Sequence, residues 1–340
     1  MKASRFRRPV PMGGFLRCES GVESGFAQRV SEITDLVANS SANPPASRAA
    51  ESPFWLGNES GYQAWKRQKL SLRESLDPAR TFHLDPNHAA DAVQISEMRR
   101  QIDGFNFILF GTDSELTRPG FLRLNRAFGL NRLDLNPGAG GDAVTLLQVV
   151  EADDPRARYI PYTARALNWH TDGYYNPPER RIRAFSLYCV RPAGSGGENF
   201  LLDHEMVYLL LRDTSPDLMA ALMAPEMMRI PANRSEGQIL RAEQSGPVFA
   251  IDYDGRLQMR YSSRPRNVIW RDDEISRRAL ELLREILDDS DAITELALGG
   301  GQGVTCNNIL HGRHAFSGHD RAARLFYRAR YHDAITFGGD

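Results

Sequence analysis

Short apolar runs of strand length, at irregular intervals, most constrain how this chain can fold. Residues 104–110, 143–150 and 184–190 are such runs. Residues 247–261 indicate two more strands around a turn at Asp254-Gly255. Helical segments are grouped and do not alternate with these strands, which disfavours a doubly wound parallel sheet. The pattern therefore predicts a mainly β fold, a sandwich or barrel, with helices packed on one side.

Two helix signals and one linker signal organise the rest of the chain. Ser215-Pro216 is typical of an N-cap followed by proline at the first helical position. Residues 272–288 predict an amphipathic helix with acidic residues at its start. Residues 37–53 are rich in Ser, Ala and Pro and indicate a loop. We expect an N-terminal extension over residues 1–60 and a single domain over residues 61–340.

Composition and charge exclude several classes of partner. The formal net charge is −1, without the basic excess of a nucleic-acid-binding protein. No apolar run approaches the roughly 20 residues of a membrane-spanning helix, and the Arg-rich N-terminus lacks the apolar region of a secretory signal. Cys18, Cys189 and Cys306 are widely spaced, which fits a reducing compartment. We expect a cytoplasmic protein without nucleic-acid or membrane partners; whether it forms a homo-oligomer stays open.

The stretch NWHTDGYY contains a candidate half of a metal site, His170-x-Asp172. Side chains two residues apart share one face of an extended strand, and two histidines with one carboxylate suit Fe(II) while leaving three coordination positions open. His311, in NNILHGRHAF, is a second histidine in a strand-end context. The pair alone does not fix the metal, since zinc hydrolases also use His and Asp. We interpret most of the other histidines as surface or helix-end residues: His83, His88, His204, His314, His319 and His332.

Four motifs occur together in order: NWHTD at 168–172, GGEN at 196–199, LHGR at 310–313 and RAARLFYRARY at 321–331. The set resembles the taurine dioxygenase family of Fe(II)/2-oxoglutarate-dependent oxygenases and is similar to its γ-butyrobetaine and glutarate hydroxylase branches. The resemblance covers about residues 100 to 335. It implies a double-stranded β-helix, or jelly roll, with helices outside one sheet.

The resemblance also implies roles for individual residues. His170, Asp172 and His311 would be the Fe(II) ligands, with 2-oxoglutarate as co-substrate and O₂ as oxidant. Arg324 would hold the C5 carboxylate of 2-oxoglutarate, because a guanidinium fork matches a carboxylate. Asn199 stands where the taurine enzymes have a threonine that touches the co-substrate. Other arginines compete with Arg324 for the anchoring role: Arg321, Arg328 and Arg330.

The implied reaction is hydroxylation of an unactivated C–H bond with release of succinate and CO₂. Asp172 favours hydroxylation over halogenation, while desaturation and ring closure stay open. Arg328 matches the position that holds the sulfonate in taurine enzymes, so we expect a small anionic substrate. Tyr174 and Tyr175 would border the open face of the iron, and positive charge at the mouth would come from Arg260 and from residues 180, 181 and 183.

Two alternatives stay open at this point. The tyrosine pair is also compatible with an aromatic cage for a quaternary ammonium substrate such as a betaine. A jelly roll can also bind a metal or small molecule without turnover, and a metal-dependent hydrolase would use the same ligand types.

Overall fold

The structure is a computed structural model that describes residues 50–136, 138–235, 238–265, 268–317 and 324–337. Six helices lie in these ranges: α1 (Glu59–Ser75), α2 (Ala92–Phe105), α3 (Arg118–Arg126), α4 (His204–Thr214), α5 (Pro216–Leu222) and α6 (Glu274–Asp289). The strands are β1 (Thr81–His83), β2 (Phe107–Gly111), β3 (Thr145–Leu147), β4 (Leu167–His170), β5 (Ala184–Arg191), β6 (Ser195–Gly196), β7 (Asn199–Leu202), β8 (Met228–Ile230), β9 (Asn233–Ser235), β10 (Gln238–Arg241), β11 (Gln244–Gly246), β12 (Phe249–Ile251), β13 (Leu257–Met259), β14 (Ile269–Trp270), β15 (Thr294–Leu296), β16 (Gln302–Cys306), β17 (Leu310–Arg313), β18 (Phe316–Ser317) and β19 (Leu325–Tyr331).

Two sheets form the centre of the fold. The main sheet has six strands in the order β1-β2-β16-β5-β19-β3, and the minor sheet has four in the order β15-β7-β17-β4. Pairing is antiparallel in both sheets except between β1 and β2. The predicted architecture, mainly β with flanking helices, is confirmed.

The space between the two sheets is a buried apolar cluster. Alternate residues of β5 face it, because successive side chains of a strand point to opposite faces. Phe185, Leu187 and Cys189 of β5 meet Leu201 of the minor sheet in this cluster. The ring of His311 packs against Phe185 of this cluster, with the two ring centroids 4.3 Å apart.

Helices cover both sheets, which differs from the expectation of helices on one side. The outer face of the main sheet carries Phe110 and Tyr188, which pack against side chains of α2 and α3. Leu202 and Leu310 of the minor sheet join a second cluster with α4, α5 and α6. Each sheet has an apolar outer face, so each requires a cover.

The helix cap, the turn and the strand predicted from local sequence signals are all present, with a small shift in where the strand starts. Ser215 caps α5 by accepting a hydrogen bond from the backbone N–H of Leu218 at 3.3 Å. Gly255, in the predicted turn between β12 and β13, has a φ of 82°, which favours glycine. The strand expected from residue 104 starts at 107, because Asn106 has a left-handed φ of 58° and ends α2.

Residues ahead of residue 60 already pack onto the domain. Phe54 is buried in the cluster around α4 and α6. The Tyr208 hydroxyl donates to the Phe54 carbonyl at 2.7 Å, and Arg212 donates to the Pro53 carbonyl at 3.1 Å. Residues 53 and 54 thus contact α4 directly, while residues 1–49 lie outside the described ranges and the expected boundary at residue 60 stays a prediction. None of the described helices is long and apolar enough to cross a membrane.

Candidate metal centre

Strand register brings the two motif histidines together. In the antiparallel pairing of β17 with β4, His311 lies directly opposite His170, and their ring centroids are 4.1 Å apart. Asp172 follows β4 by two residues. One ligand atom from each of His170, Asp172 and His311 lies within 4.8 Å of the others. These three residues, separated by up to 141 positions in the chain, form one buried cluster.

Both histidines leave the same ring nitrogen free. Nδ1 of His170 lies 2.9 Å from the Asn168 carbonyl, and Nδ1 of His311 lies 2.9 Å from the Ile309 carbonyl. A carbonyl only accepts, so each Nδ1 carries the proton and each Nε2 presents a lone pair. Burial lowers the pKa of His170 to about 3, with a further contribution from His311, and burial also lowers the pKa of His311. Both rings are therefore neutral, the form that binds a metal ion.

Asn308 holds the backbone of Asp172 in place. Its side-chain oxygen accepts from the Asp172 N–H at 2.8 Å, and its amide group donates to the carbonyls of Asp172 at 2.9 Å and Ile182 at 2.8 Å. Asn308 itself has a left-handed φ of 45°. The motif NNILHGR does not by itself reveal this role of Asn308, since only the fold shows which backbone groups its amide contacts.

The Asp172 carboxylate has one oxygen bound and one free. Oδ1 accepts from Arg328 Nη1 at 3.2 Å and lies 3.9 Å from Arg330 Nη1. Oδ2 is buried without a hydrogen-bond partner among the described residues. Burial raises the pKa of Asp172, but Arg328 and Arg330 outweigh it and hold the pKa well below its usual range. The free oxygen and the two Nε2 atoms fit a divalent ion in a two-histidine, one-carboxylate site.

Arg330 also forms a buried ion pair that the sequence motifs do not reveal. Its guanidinium pairs with Asp134, and its Nη1 donates to the Tyr175 hydroxyl at 3.1 Å. Asp134 also lies 3.3 Å from Arg180 Nη2. Burial opposes the charge of Arg330, but Tyr175, Asp172 and Asp134 together raise its pKa. Arg330 is therefore paired and is a poor candidate for the co-substrate anchor.

Arg324 is a buried cation without an acid partner in the described ranges. Its guanidinium lies 4.0 Å from the ring centroid of Phe326 and 5.0 Å from that of Phe316. Nη1 has no hydrogen-bond partner within the described residues. Burial, with a smaller contribution from Arg313, lowers the pKa of Arg324 to about 9. An unpaired buried guanidinium fits a carboxylate ligand such as the C5 end of 2-oxoglutarate.

Two neighbours add unpartnered donors near Arg324. Arg313 and Asn199 are cross-strand partners on β17 and β7. The Arg313 guanidinium lies 4.7 Å from the Phe316 ring that Arg324 also contacts, and its Nη2 donates to the carbonyls of Thr163 and Arg165. Asn199 Nδ2 and Arg313 Nε are both buried without partners in the described part of the chain. The predicted contact of Asn199 with the co-substrate is thus compatible with its environment.

The predicted substrate residues fall into two groups. Arg328 contacts Asp172, and Tyr175 is linked to Arg330, with its ring 5.1 Å from that of Tyr174. Arg260 instead donates to the carbonyls of Met228 and Gly246, and no contact joins it to the three ligand residues. Arg181 and Arg183 form ion pairs with Asp252. The expected positive charge of residues 180, 181 and 183 is therefore largely compensated by acidic partners.

Of the competing arginines, Arg321 lies outside the described residues, as does His319. His204 is buried at the start of α4, whereas His83, His88 and His314 are exposed and His332 is half-buried. Within the described part of the chain, His170, Asp172 and His311 are the one group of three or more such side chains close enough to hold a metal ion.

Comparison with known proteins settles the family. The model of the taurine catabolism dioxygenase TauD, TfdA family matches residues 70–329. The chain belongs to this family. Two uridine-5′-phosphate dioxygenases are similar: one from Amycolatopsis sp is 31% identical over 49% of the chain, and one from Streptomyces sp is 32% identical over 51%. The matched regions span 61% and 64% of those two relatives, so somewhat less than two thirds of their length is covered.

A solved structure supports the fold over nearly the whole chain. The non-haem iron oxygenase OrfP, crystallised with Fe, succinate and (3S)-hydroxy-L-Arg, superposes with a TM-score of 0.53, covering 90% of this chain and 91% of OrfP at 16% identity. At that identity the likeness shows the fold alone. The resemblance inferred from the motifs is confirmed by the TauD, TfdA match, and the jelly-roll prediction is confirmed by the shared fold.

Proposed function

We propose that the protein is an Fe(II)- and 2-oxoglutarate-dependent oxygenase that hydroxylates a C–H bond of a small anionic molecule and releases succinate and CO₂. One observation carries the proposal: one ligand atom from each of His170, Asp172 and His311 lies within 4.8 Å of the other two. The chain's place in the TauD, TfdA family supports it. The buried thiols Cys189 and Cys306 fit action in a reducing cytoplasm.

Each side chain has a distinct part in this proposal. His170 Nε2, His311 Nε2 and Asp172 Oδ2 hold Fe(II), while Arg324 and Asn199 bind the C5 carboxylate of 2-oxoglutarate. The bound iron, with 2-oxoglutarate and O₂, supplies the oxidising power for hydroxylation. The chain keeps both imidazoles neutral, orients Asp172 through Asn308, and limits water at the site by burying all three ligands. A metal-dependent hydrolase that lacks a carboxylate co-substrate would leave the buried, unpaired guanidinium of Arg324 unexplained.

The charges near the site favour an anionic substrate over a quaternary ammonium. The one ion pair of Arg328 among the described residues is with Asp172. Asp172 would share its negative charge with the iron. The guanidinium of Arg241 already lies 5.7 Å from the ring centroid of Tyr175. A cation would be repelled by both groups, whereas an anion would be attracted. The relatives' names fit this class, because uridine-5′-phosphate is an anion.

Succinate release tests the proposal directly. The purified protein is incubated with Fe(II), ascorbate, 2-oxoglutarate and a panel of carboxylates, sulfonates, nucleotides and betaines. We expect His170→Ala and His311→Ala to lose both iron binding and succinate release. His314→Ala is the matched control, because His314 is exposed and contacts Glu295 at 3.0 Å. Turnover at the wild-type rate in either ligand variant would rule out the assigned iron site.

A further inference from the structure

Arg241, on β10, forms no ion pair with an acidic side chain among the described residues, unlike several other arginines around the site. Arg330 and Arg180 share Asp134, and Arg183 pairs with Asp252. Arg241 instead donates to the backbone carbonyls of Pro231 at 2.8 Å and Ala242 at 3.3 Å, and no described carboxylate forms an ion pair with it. Its charge is thus left available for a ligand.

A short chain of contacts connects Arg241 to the candidate metal centre. The Arg241 guanidinium faces the Tyr175 ring at 5.7 Å, and the Tyr175 hydroxyl accepts from Arg330 Nη1 at 3.1 Å. Arg330 Nη1 in turn lies 3.9 Å from Asp172 Oδ1, the oxygen that Arg328 also contacts. One aromatic side chain and one paired arginine therefore separate Arg241 from the ligands. Tyr174 packs edge-on against Tyr175 at 5.1 Å and extends the same wall.

We propose that Arg241 is a specificity-determining residue that binds a phosphate monoester group of the substrate. The inference rests on the proposed function and narrows its substrate class. A phosphate monoester carries close to two negative charges at neutral pH and has three strongly accepting oxygens. A guanidinium group matches that charge and geometry, because its planar N–H fork donates to two phosphate oxygens at once.

The test compares two ligands that differ only in the phosphate, uridine 5′-monophosphate and uridine, on the Fe(II)-loaded enzyme with 2-oxoglutarate. Arg241→Ala should raise the KM for the nucleotide by about 10- to 100-fold, because a charged hydrogen-bond partner is lost. The kcat should stay within about twofold. The KM and kcat for uridine should not change in Arg241→Ala, and Arg241→Lys should restore part of the affinity for the nucleotide. Arg234→Ala on β9 is the matched control, because Arg234 is an exposed arginine on the strand that pairs with β10.

Binding measured without turnover separates this inference from the proposed function. Calorimetric titration with uridine 5′-monophosphate, phosphoserine and inorganic phosphate is done anaerobically. Binding that weakens in Arg241→Ala supports the inference even when no succinate forms, in which case the proposed activity fails alone. Turnover or binding of phosphate monoesters that is equal in wild type and Arg241→Ala overturns the inference. So does the absence of phosphate-monoester binding by the wild type.

Discussion

Arg324 lies where its charge is disfavoured, since burial lowers its pKa to about 9 and its Nη1 lacks a partner within the described residues. A bound carboxylate would stabilise the charge of Arg324 and would give Nη1 a hydrogen-bond partner. Arg324→Met should therefore weaken 2-oxoglutarate binding by roughly 2–5 kcal/mol, seen as a steep rise in its KM, while iron binding is retained. Arg328→Met is the comparison, and it should affect substrate more than co-substrate. A larger effect of Arg328→Met on the 2-oxoglutarate KM would show that the anchor is misassigned.

Asn308 positions the backbone around Asp172, because its single amide forms hydrogen bonds with three backbone groups there. Asn308→Ala leaves these groups unpaired and frees the turn that aims the carboxylate. We expect metal affinity to fall by about 10- to 100-fold, as for other residues that orient ligands. Anaerobic titration with Fe(II) measures it, and Asn131→Ala, at an exposed asparagine, is the control. Unchanged Fe(II) affinity would show that Asp172 is held without Asn308.

The chemical groups of the site were predictable from the sequence, whereas their supporting contacts were not. His170-x-Asp172 and His311 stand in motifs whose residue types suit iron. Asp134 follows no motif, and it meets Arg330 through a pairing between a loop and β19 that lies 196 positions away in the chain. Arg330 was left as a competitor for the anchor because sequence alone cannot tell a paired arginine from a free one.

At the scale of elements, antiparallel register converts two distant motifs into one site. A shift of β17 by one residue against β4 would turn His311 toward the outer helices, since strand side chains alternate between faces. Apolar runs predicted the strands, but not that the outer faces of both sheets would be apolar. Helices on both sides follow from that second property, which depends on how the strands are ordered.

A buried ion pair ties α1 to α4, and it supports the strongest stability prediction for an element. Lys69 Nζ lies 2.8 Å from Asp203 Oδ2, with both side chains 1% exposed. Lys69→Met removes the nearest cation from the buried Asp203 carboxylate and leaves Arg73, at 3.6 Å, as its remaining charged partner. We therefore expect a loss of about 3–5 kcal/mol in the free energy of unfolding. Denaturant titration measures it. Lys66→Met is the control, because Lys66 pairs with Asp213 at the surface and should lose under about 1 kcal/mol.

For the whole molecule, the family match and the packed structure begin at different residues. The match starts at residue 70, yet the apolar cluster behind the minor sheet already includes Phe54 and Tyr62. The composition of residues 37–53 predicts a loop. Such a composition does not reveal that the residues that follow are held against α4. The carbonyls of residues 53–56 accept hydrogen bonds from Tyr208 and Arg212 of α4, which fixes them to the domain.

Phe54 tests whether this upstream segment belongs to the cooperative core. Its ring is 4% exposed and packs edge-on against Trp65 at 4.9 Å and Tyr208 at 5.5 Å. Phe54→Ala removes these contacts and leaves a cavity, so we expect a loss of about 3–5 kcal/mol in stability. Thermal unfolding followed by circular dichroism should show a single transition at lower temperature. Leu135→Ala, at a side chain 66% exposed, should leave that transition unchanged. An unfolding midpoint in Phe54→Ala equal to that of the wild type would mean that the segment is a detachable extension. A phenylalanine that is part of the core cannot be truncated without destabilising the fold.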